Sequence, residues 1–151
     1  MIVRPPQTEE EFERYRDLRW RILRAPWNQP RITEQDDLDS DDFPIMVCED
    51  DGIPIGVGRA HFISESEAQI RSISVEEEWS GKGIGSMVLK ELEKIVIEKG
   101  ARRIIIHSRS NAVEFYKKHG YQVVEQSYTL FGEIEHTLME KFLGKNIKSG
   151  L

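Results

Sequence analysis

The sequence predicts a mixed α/β fold: a central, mostly antiparallel sheet containing one parallel pair and flanked by helices. Three observations predict it. Runs rich in β-branched residues, bounded by turn residues, occur at 45–48, 53–61 and 68–75; a long amphipathic stretch follows Gly85; and a further apolar run, Arg102-Arg103-Ile104-Ile105-Ile106-His107, lies beyond that stretch. Strands joined by short turns form an antiparallel meander, whereas a strand reached through a long helix returns parallel. At 151 residues the chain is expected to form one domain over 1–151.

Thr8 and Glu11 have capping-box spacing, and Phe12, Tyr15, Leu18, Arg19 and Ile22 follow at helical intervals until Pro26 forbids continuation. A first helix is therefore expected over 8–24. Residues 25–42 are rich in proline and charge but keep Trp27 and Ile32, which suggests an ordered loop or short helix of the kind that often binds ligands. The first two strands are joined by Asp50-Asp51-Gly52, and the third follows across 64–67. On the long helix Ile84, Val88, Leu92, Ile95 and Val96 share one face, Lys90, Glu91, Lys94 and Glu98 solvate the other, and Gly100 ends it. The strand at 103–107 is next. Asn111 and Glu114 then have the spacing of an N-cap with a reciprocal carboxylate, and Gly120 stands where a left-handed residue stops a short helix. Strands at 121–126 and 137–142 finish the sheet, and an edge strand near the C-terminus leaves monomer and homodimer both open.

The net charge of −6 argues against nucleic acid as a partner and suits an amine. Asp36, Asp37, Asp39, Asp41 and Asp42 either line the approach of a cationic acceptor or form a solvated loop. The N-terminus lacks a signal-peptide pattern and no apolar run approaches membrane-spanning length, so a cytoplasmic protein without a membrane partner is expected. The lone Cys48, which can form no internal disulfide, agrees with that compartment.

Residues 69–86 carry the chemistry, because there a β-branched run stops at a glycine cluster and a helix begins. Gly81, Gly83 and Gly85 leave backbone N–H groups unshielded by Cβ atoms, where a helix N-terminus adds its own donors and positive dipole end. A phosphate or pyrophosphate can be held there without a side-chain cation. A P-loop would need Lys and then Ser or Thr after the last glycine, and Lys82 comes too early. The dinucleotide fingerprint G-x-G-x-x-G also fails, since the spacing is G-x-G-x-G. Taken alone, such a cluster also fits an ordinary strand-to-helix turn.

The loop resembles the acyl-CoA loop of the GNAT superfamily of N-acetyltransferases: Gln or Arg, two residues, Gly, one residue, then Gly or Ala. Gly83 and Gly85 match, while Ser80 stands where Gln or Arg is usual. Asn111-Ala112-Val113-Glu114-Phe115-Tyr116-Lys117-Lys118-His119-Gly120-Tyr121 resembles the superfamily's second region, in which an Asn opens a short helix carrying a Tyr and ending Lys-x-Gly before an aromatic. With the strands on either side, the resemblance covers about residues 52 to 142.

The resemblance implies a GNAT-like fold whose parallel strands, ending at Val75 and His107, splay apart. It also implies an acetyl-CoA-dependent N-acetyltransferase without a metal, in which a primary amine of a small molecule, peptide or protein attacks directly in a ternary complex. In it the main chain of Ile73, Ser74 and Val75 binds pantetheine, and Gly81, Lys82, Gly83, Ile84, Gly85 and Ser86 bind pyrophosphate. Asn111 belongs to the cofactor site, and a backbone N–H close to Ile73 polarises the thioester carbonyl. Tyr116 matches the general acid, although its apolar surroundings also fit a core aromatic. Several members carry a Glu where this chain has Gln69, which cannot accept a proton; a water chain remains, with Glu67, His61, His107 and His136 as candidate bases. His136 precedes the last strand as in other members, and a strand-end His also serves structure. Trp20, Trp27 and Arg31 either shape the acceptor pocket or belong to the core. Glu76, Glu77 and Glu78 are expected to face solvent. Gln69 and Ser80 leave open a catalytically silent acyl-CoA-binding or sensing module, and an interaction protein retaining only the fold is a third reading.

Overall fold

The computed structural model describes residues 1–23, 25–27, 42–130, 132 and 134–143. The chain forms two compact units, one comprising Met1–His61 and Ile70–Ile95, the other Phe62–Gln69 and Val96–Leu151. The elements are β1 (Ile2–Arg4), α1 (Glu9–Leu23), β2 (Phe43–Cys48), β3 (Pro54–Phe62), β4 (Glu67–Val75), α2 (Ile84–Glu98), β5 (Arg103–Arg109), α3 (Val113–Lys118), β6 (Gln122–Leu130) and β7 (Ile134–Phe142). The strand order is β1-β2-β3-β4-β5-β7-β6, with β4 contributing to both units. This is the expected mixed sheet. Among the described residues no helix is long and apolar enough to cross a membrane.

In the first unit, β1 pairs antiparallel with β2 (Ile2↔Cys48, Val3↔Val47, Arg4↔Met46), and β2 with β3. β1 was not anticipated, because three residues before Pro5 offer no alternation to read. The capping box at the start of α1 is only half present. Thr8 Oγ1 accepts from Glu11 N–H at 3.1 Å, but the Glu11 carboxylate accepts from Gln7 N–H and from both Arg4 terminal nitrogens, each at 2.8 Å. A two-pronged guanidinium outcompetes the Thr8 amide for the same oxygens. Tyr15 and Leu18 of α1 bury their side chains with Met46, Cys48 and Val57, flanked by Phe12 and Ile22, as the helical spacing predicts.

β3 is buried along almost its whole length, and its two faces are used differently. Val57 belongs to the α1 cluster, while Gly56 and Gly58 lie beneath α2. A Cβ on Gly56 would stand 2.4 Å from Ile84 Cγ2, and one on Gly58 would stand 2.6 Å from Val88 Cγ1 and 3.1 Å from both Ile73 Cγ1 and Leu92 Cδ1. The side chains of Ile84, Val88 and Leu92 thus rest directly on the glycine backbone of β3, which sets the height of the α2 N-terminus. Gly58→Ala forces a methyl into that contact from three sides and is expected to lower stability by about 1–3 kcal/mol, measured by urea unfolding. An unchanged midpoint would mean that α2 rides higher on β3. Ile84, Val88, Leu89, Leu92 and Val96 are buried along α2, and Ile95 is half-buried.

In the second unit the parallel register of β4 with β5 is confined to Glu67↔Arg103, Ala68↔Ile104 and Gln69↔Ile105. Arg103 fixes that start, donating to Glu67 at 2.9 Å and to Glu140 at 2.8 Å. β5 pairs antiparallel with β7 from Arg103↔Phe142 to Arg109↔His136, and β7 with β6. Gly100 (φ +104°) and Gly120 (φ +91°) end their helices as expected. In each case the glycine N–H and that of the next residue return to the last turn, Gly100 to Ile97 and Ala101 to Val96, Gly120 to Lys117 and Tyr121 to Tyr116.

The cap predicted for the short helix is absent. α3 begins at Val113, its N-cap position is Ala112 with no side-chain bond, and Asn111 sits in a 3₁₀ turn over Ser110–Ala112. That turn satisfies backbone groups that a capping Asn otherwise takes. Glu114 instead lies 3.5 Å from Lys117 on the exposed face. β6 and β7 also run further toward their connecting turn than expected. β6 carries two register shifts and is exposed on both faces, so its second half shows no hydrophobic period.

Candidate cofactor site

The site is built where β4 leads into α2. Glu76 N–H donates to the Ile55 carbonyl at 2.9 Å, Glu77–Trp79 form a 3₁₀ turn, and Ser80 N–H returns to the Glu77 carbonyl. Gly81 (φ +75°) and Gly83 (φ +85°) then take the left-handed conformation that glycine adopts without a Cβ penalty. No described atom lies within 4 Å of where a Cβ would stand on either. The first helical bond of α2 runs from Met87 N–H to the Gly83 carbonyl at 3.1 Å, so the N–H groups of Ile84, Gly85 and Ser86 all precede it. Gly85 is helical, so its contribution is an approachable amide in the first turn. Exposed Lys82 places its ammonium over the Trp79 ring, 5.4 Å from the centroid. An anion at this turn meets glycine backbone unshielded by Cβ atoms and the positive end of a helix of 15 residues.

The strand before the turn contains a feature the sequence did not reveal. Ser72, at φ +62°, is the one non-glycine residue with positive φ among the described residues. Its effect follows from the bonds at the two ends of β4. The Glu67 carbonyl accepts from Ile63 N–H just beyond β3 at 2.9 Å, so alternation turns the backbone of Gln69 and Arg71 toward β3 as well. Glu76 also faces β3, through Ile55, which puts Ser74 on that side and directs the N–H groups of Ile73 and Val75 away from it. An odd series becomes an even one, and Ser72 is the residue that absorbs the change. Buried Ser74 donates its hydroxyl to the Ser72 carbonyl at 3.2 Å. A Ser-x-Ser pair inside a β-branched run carries no sequence signal for such a kink.

Glu76 corrects an expectation. It is half-buried and receives both terminal nitrogens of Arg21, at 3.0 and 2.9 Å, while Arg21 Nε donates to Asp17 at 2.7 Å. Glu77 and Glu78 are exposed, as expected. Of the acidic run, Asp42 has its side chain buried against Arg59 at 3.2 Å; the other four aspartates and Arg31 lie outside the described residues. Trp20 is half-buried on α1.

The second unit holds the other candidates. Tyr116 on α3 is buried, with ring centroids of Phe115 and Tyr121 at 5.0 and 5.8 Å. Burial pushes its hydroxyl above the usual value of 10, so the group is a proton donor across the neutral range. Asn111 is exposed. Glu67 is engaged by Arg103. The rings of His107 and His136 both contact Tyr128, with centroids at 5.2 and 4.4 Å; His107 Nδ1 is bonded to Ser127 Oγ, and His136 Nδ1 donates to the Ile134 carbonyl at 3.0 Å. Burial holds His136 below the usual imidazole range, hence neutral at pH 7. His61 is buried on β3 in the first unit. Among the described residues no three His, Cys, Asp or Glu side chains converge as metal ligands.

Comparison with known proteins agrees with this architecture. A family model described as Acetyltransferase (GNAT) family matches residues 12–121. The protein named Uncharacterized N-acetyltransferase YjcF, from Bacillus subtilis (strain 168), is 30% identical over 135 residues, which cover 89% of this chain and 95% of its own. Uncharacterized protein YyaT of the same organism is 30% identical over 124 residues, covering 79% and 82%. Among solved structures, an aminoglycoside 6'-N-acetyltransferase complexed with coenzyme A superimposes with a TM-score of 0.81 over 97% of this chain and 99% of its own, at 16% identity. A GNAT family acetyltransferase from Elizabethkingia anophelis with acetyl-CoA bound gives 0.72 over 94% and 97%, at 15% identity. The structural likenesses speak for the fold; the family model and the curated relatives, together with the glycine turn ahead of α2, place the chain in the acetyltransferase (GNAT) family.

Proposed function

We propose that the protein transfers an acetyl group from acetyl-CoA to a primary amine of a small molecule or peptide, by direct attack in a ternary complex. The observation that carries the reading is the open turn at Gly81 and Gly83, which leads into the N-terminus of α2; alternation from the Glu76–Ile55 bond turns the Ile73 and Val75 N–H groups of the preceding strand away from β3. These residues fit the cosubstrate. Gly81, Lys82, Gly83, Ile84, Gly85 and Ser86 supply donors for a pyrophosphate, and the main chain of Ile73 and Val75 supplies strand-like pairing for a pantetheine amide chain, while Ser74 between them has its own main chain turned toward β3. Acetyl-CoA supplies an activated acetyl group as a thioester. Asn111 is assigned to the cofactor site. Ile73 N–H is assigned to the developing oxyanion. Tyr116, held protonated by burial, is assigned to protonate the departing thiolate. The acceptor amine, whose ordinary pKa is about 10, must lose a proton before it attacks, and a water chain is the assigned route.

Calorimetric titration with acetyl-CoA, paired with a thiol-release assay across a panel of primary amines, tests the reading. Binding with amine-dependent release is expected. Binding without release from any amine would support a silent acyl-CoA-binding module, and no binding would remove the role of the glycine turn.

Arg21 contributes to the same site by occupying Glu76. In Arg21→Ala the carboxylate is freed five positions before Gly81, next to a proposed polyanion, and the KM for acetyl-CoA is expected to rise about two- to fivefold at unchanged kcat. The difference should widen as ionic strength falls. An unchanged KM at low salt would show that Glu76 stays turned away unaided.

A further inference from the structure

Resting on the proposed acetyl transfer, we infer that Ser74 is a positioning residue whose hydroxyl aims the Ile73 N–H at the thioester carbonyl. The Ser72 carbonyl and the Ile73 N–H lie on opposite edges of one planar trans peptide unit. Ser74 Oγ donates to that carbonyl at 3.2 Å, so the bond that holds the oxygen also fixes the direction of the amide on the other edge. Such a restraint is needed here, because serine at φ +62° occupies a region that L-residues leave unless their neighbours hold them. Ser74 as a whole is 2% exposed, so little solvent reaches its hydroxyl. A hydrogen bond on the carbonyl also polarises the amide N–H of the same unit, strengthening it as a donor. The hydroxyl keeps its proton throughout and touches neither reactant.

The test uses the full chain with acetyl-CoA labelled with ¹³C at the thioester carbonyl, read by difference infrared spectroscopy, together with steady-state kinetics and titration with CoA, which lacks that carbonyl. Bound to the wild type, the C=O stretch is expected below its value in free acetyl-CoA. In Ser74→Ala it should return toward the free value, with kcat falling about tenfold, short of the 10²–10³ that outright loss of an oxyanion donor costs. KM for acetyl-CoA and Kd for CoA should stay within about twofold. Ser74→Thr and Ser74→Val, nearly isosteric and differing in the hydroxyl, separate the donor from packing: Thr should keep the shifted stretch and Val should lose it. A stretch and kcat that Ser74→Ala leaves alone, or CoA affinity that falls in step with kcat, overturns the inference. A wild type that binds acetyl-CoA with a shifted stretch but releases no thiol to any amine leaves the Ser74 assignment standing and removes the transferase reading. A wild type that binds no acetyl-CoA overturns both.

Discussion

Gly83→Val is expected to abolish measurable acetyl-CoA binding while leaving the protein folded. At φ +85° a β-branched residue is strained wherever it points, and the relief is local rotation of the 82–84 backbone. The surroundings do not oppose the side chain, since nothing described lies within 4 Å of the added Cβ, so the core is not overfilled. The cost to folding is the left-handed penalty, about 1–2 kcal/mol. The cost to binding is larger, because Gly83 is the residue whose carbonyl accepts the first α2 bond and whose rotation re-aims the N–H groups that follow. Several charge-assisted bonds to one pyrophosphate are lost together, which predicts a fall in affinity of at least about 100-fold. Gly85→Ala makes the informative comparison. That position is already helical, so alanine should raise helix stability by up to about 1 kcal/mol, and any loss of affinity there reports close approach of the ligand to the backbone. Calorimetry with thermal denaturation on the same samples separates the two. A folded Gly83→Val protein with wild-type affinity would place the pyrophosphate elsewhere.

What the residues revealed beforehand was whatever one element determines by itself. α1 and α2 bury a face of one helix against a sheet, so Tyr15, Leu18, Val88 and Leu92 fall at helical spacing and could be read directly. Gly100 and Gly120 could be read because no other residue type takes those φ values freely. Apart from the Asn111 cap, displaced by a local 3₁₀ turn, the readings that failed depend on competition with partners on other elements. Glu11 has capping-box spacing, but Arg4 of β1 takes its carboxylate; Glu76 looks like one of three surface acids, but Arg21, 55 residues earlier, claims it. The Ser72 kink was invisible for a related reason. Its sign is a change of side along β4 that only the bonds at both ends disclose, and serine at that place reads as an ordinary polar strand position. The glycine turn, by contrast, needed only local backbone chemistry, and for that reason its left-handed glycines were legible where the partners of the proposed acid–base half were not.

For that acid–base half, Tyr116→Phe is the decisive substitution. Phenylalanine keeps the ring, and with it the edge-on contacts to Phe115 and Tyr121, so stability should change by no more than about 1 kcal/mol, the worth of one hydroxyl's hydrogen bond. Affinity for acetyl-CoA should stay within about twofold, because binding is assigned to the backbone of β4 and the glycine turn. The kcat should fall by about 10²–10³, within the range of lost general acid catalysis. The pH dependence sharpens the test. An acid works only while protonated, and burial raises the Tyr116 hydroxyl above its usual value of 10, so its ionisation imposes no alkaline fall on the wild-type rate below that pH. If the wild-type profile instead bends down between pH 8 and about 10, the proton comes from a group of lower pKa. A Tyr116→Phe variant with kcat within about threefold of wild type would lead to the same conclusion, because an acid assigned a hundredfold of the rate cannot be removed at so small a cost.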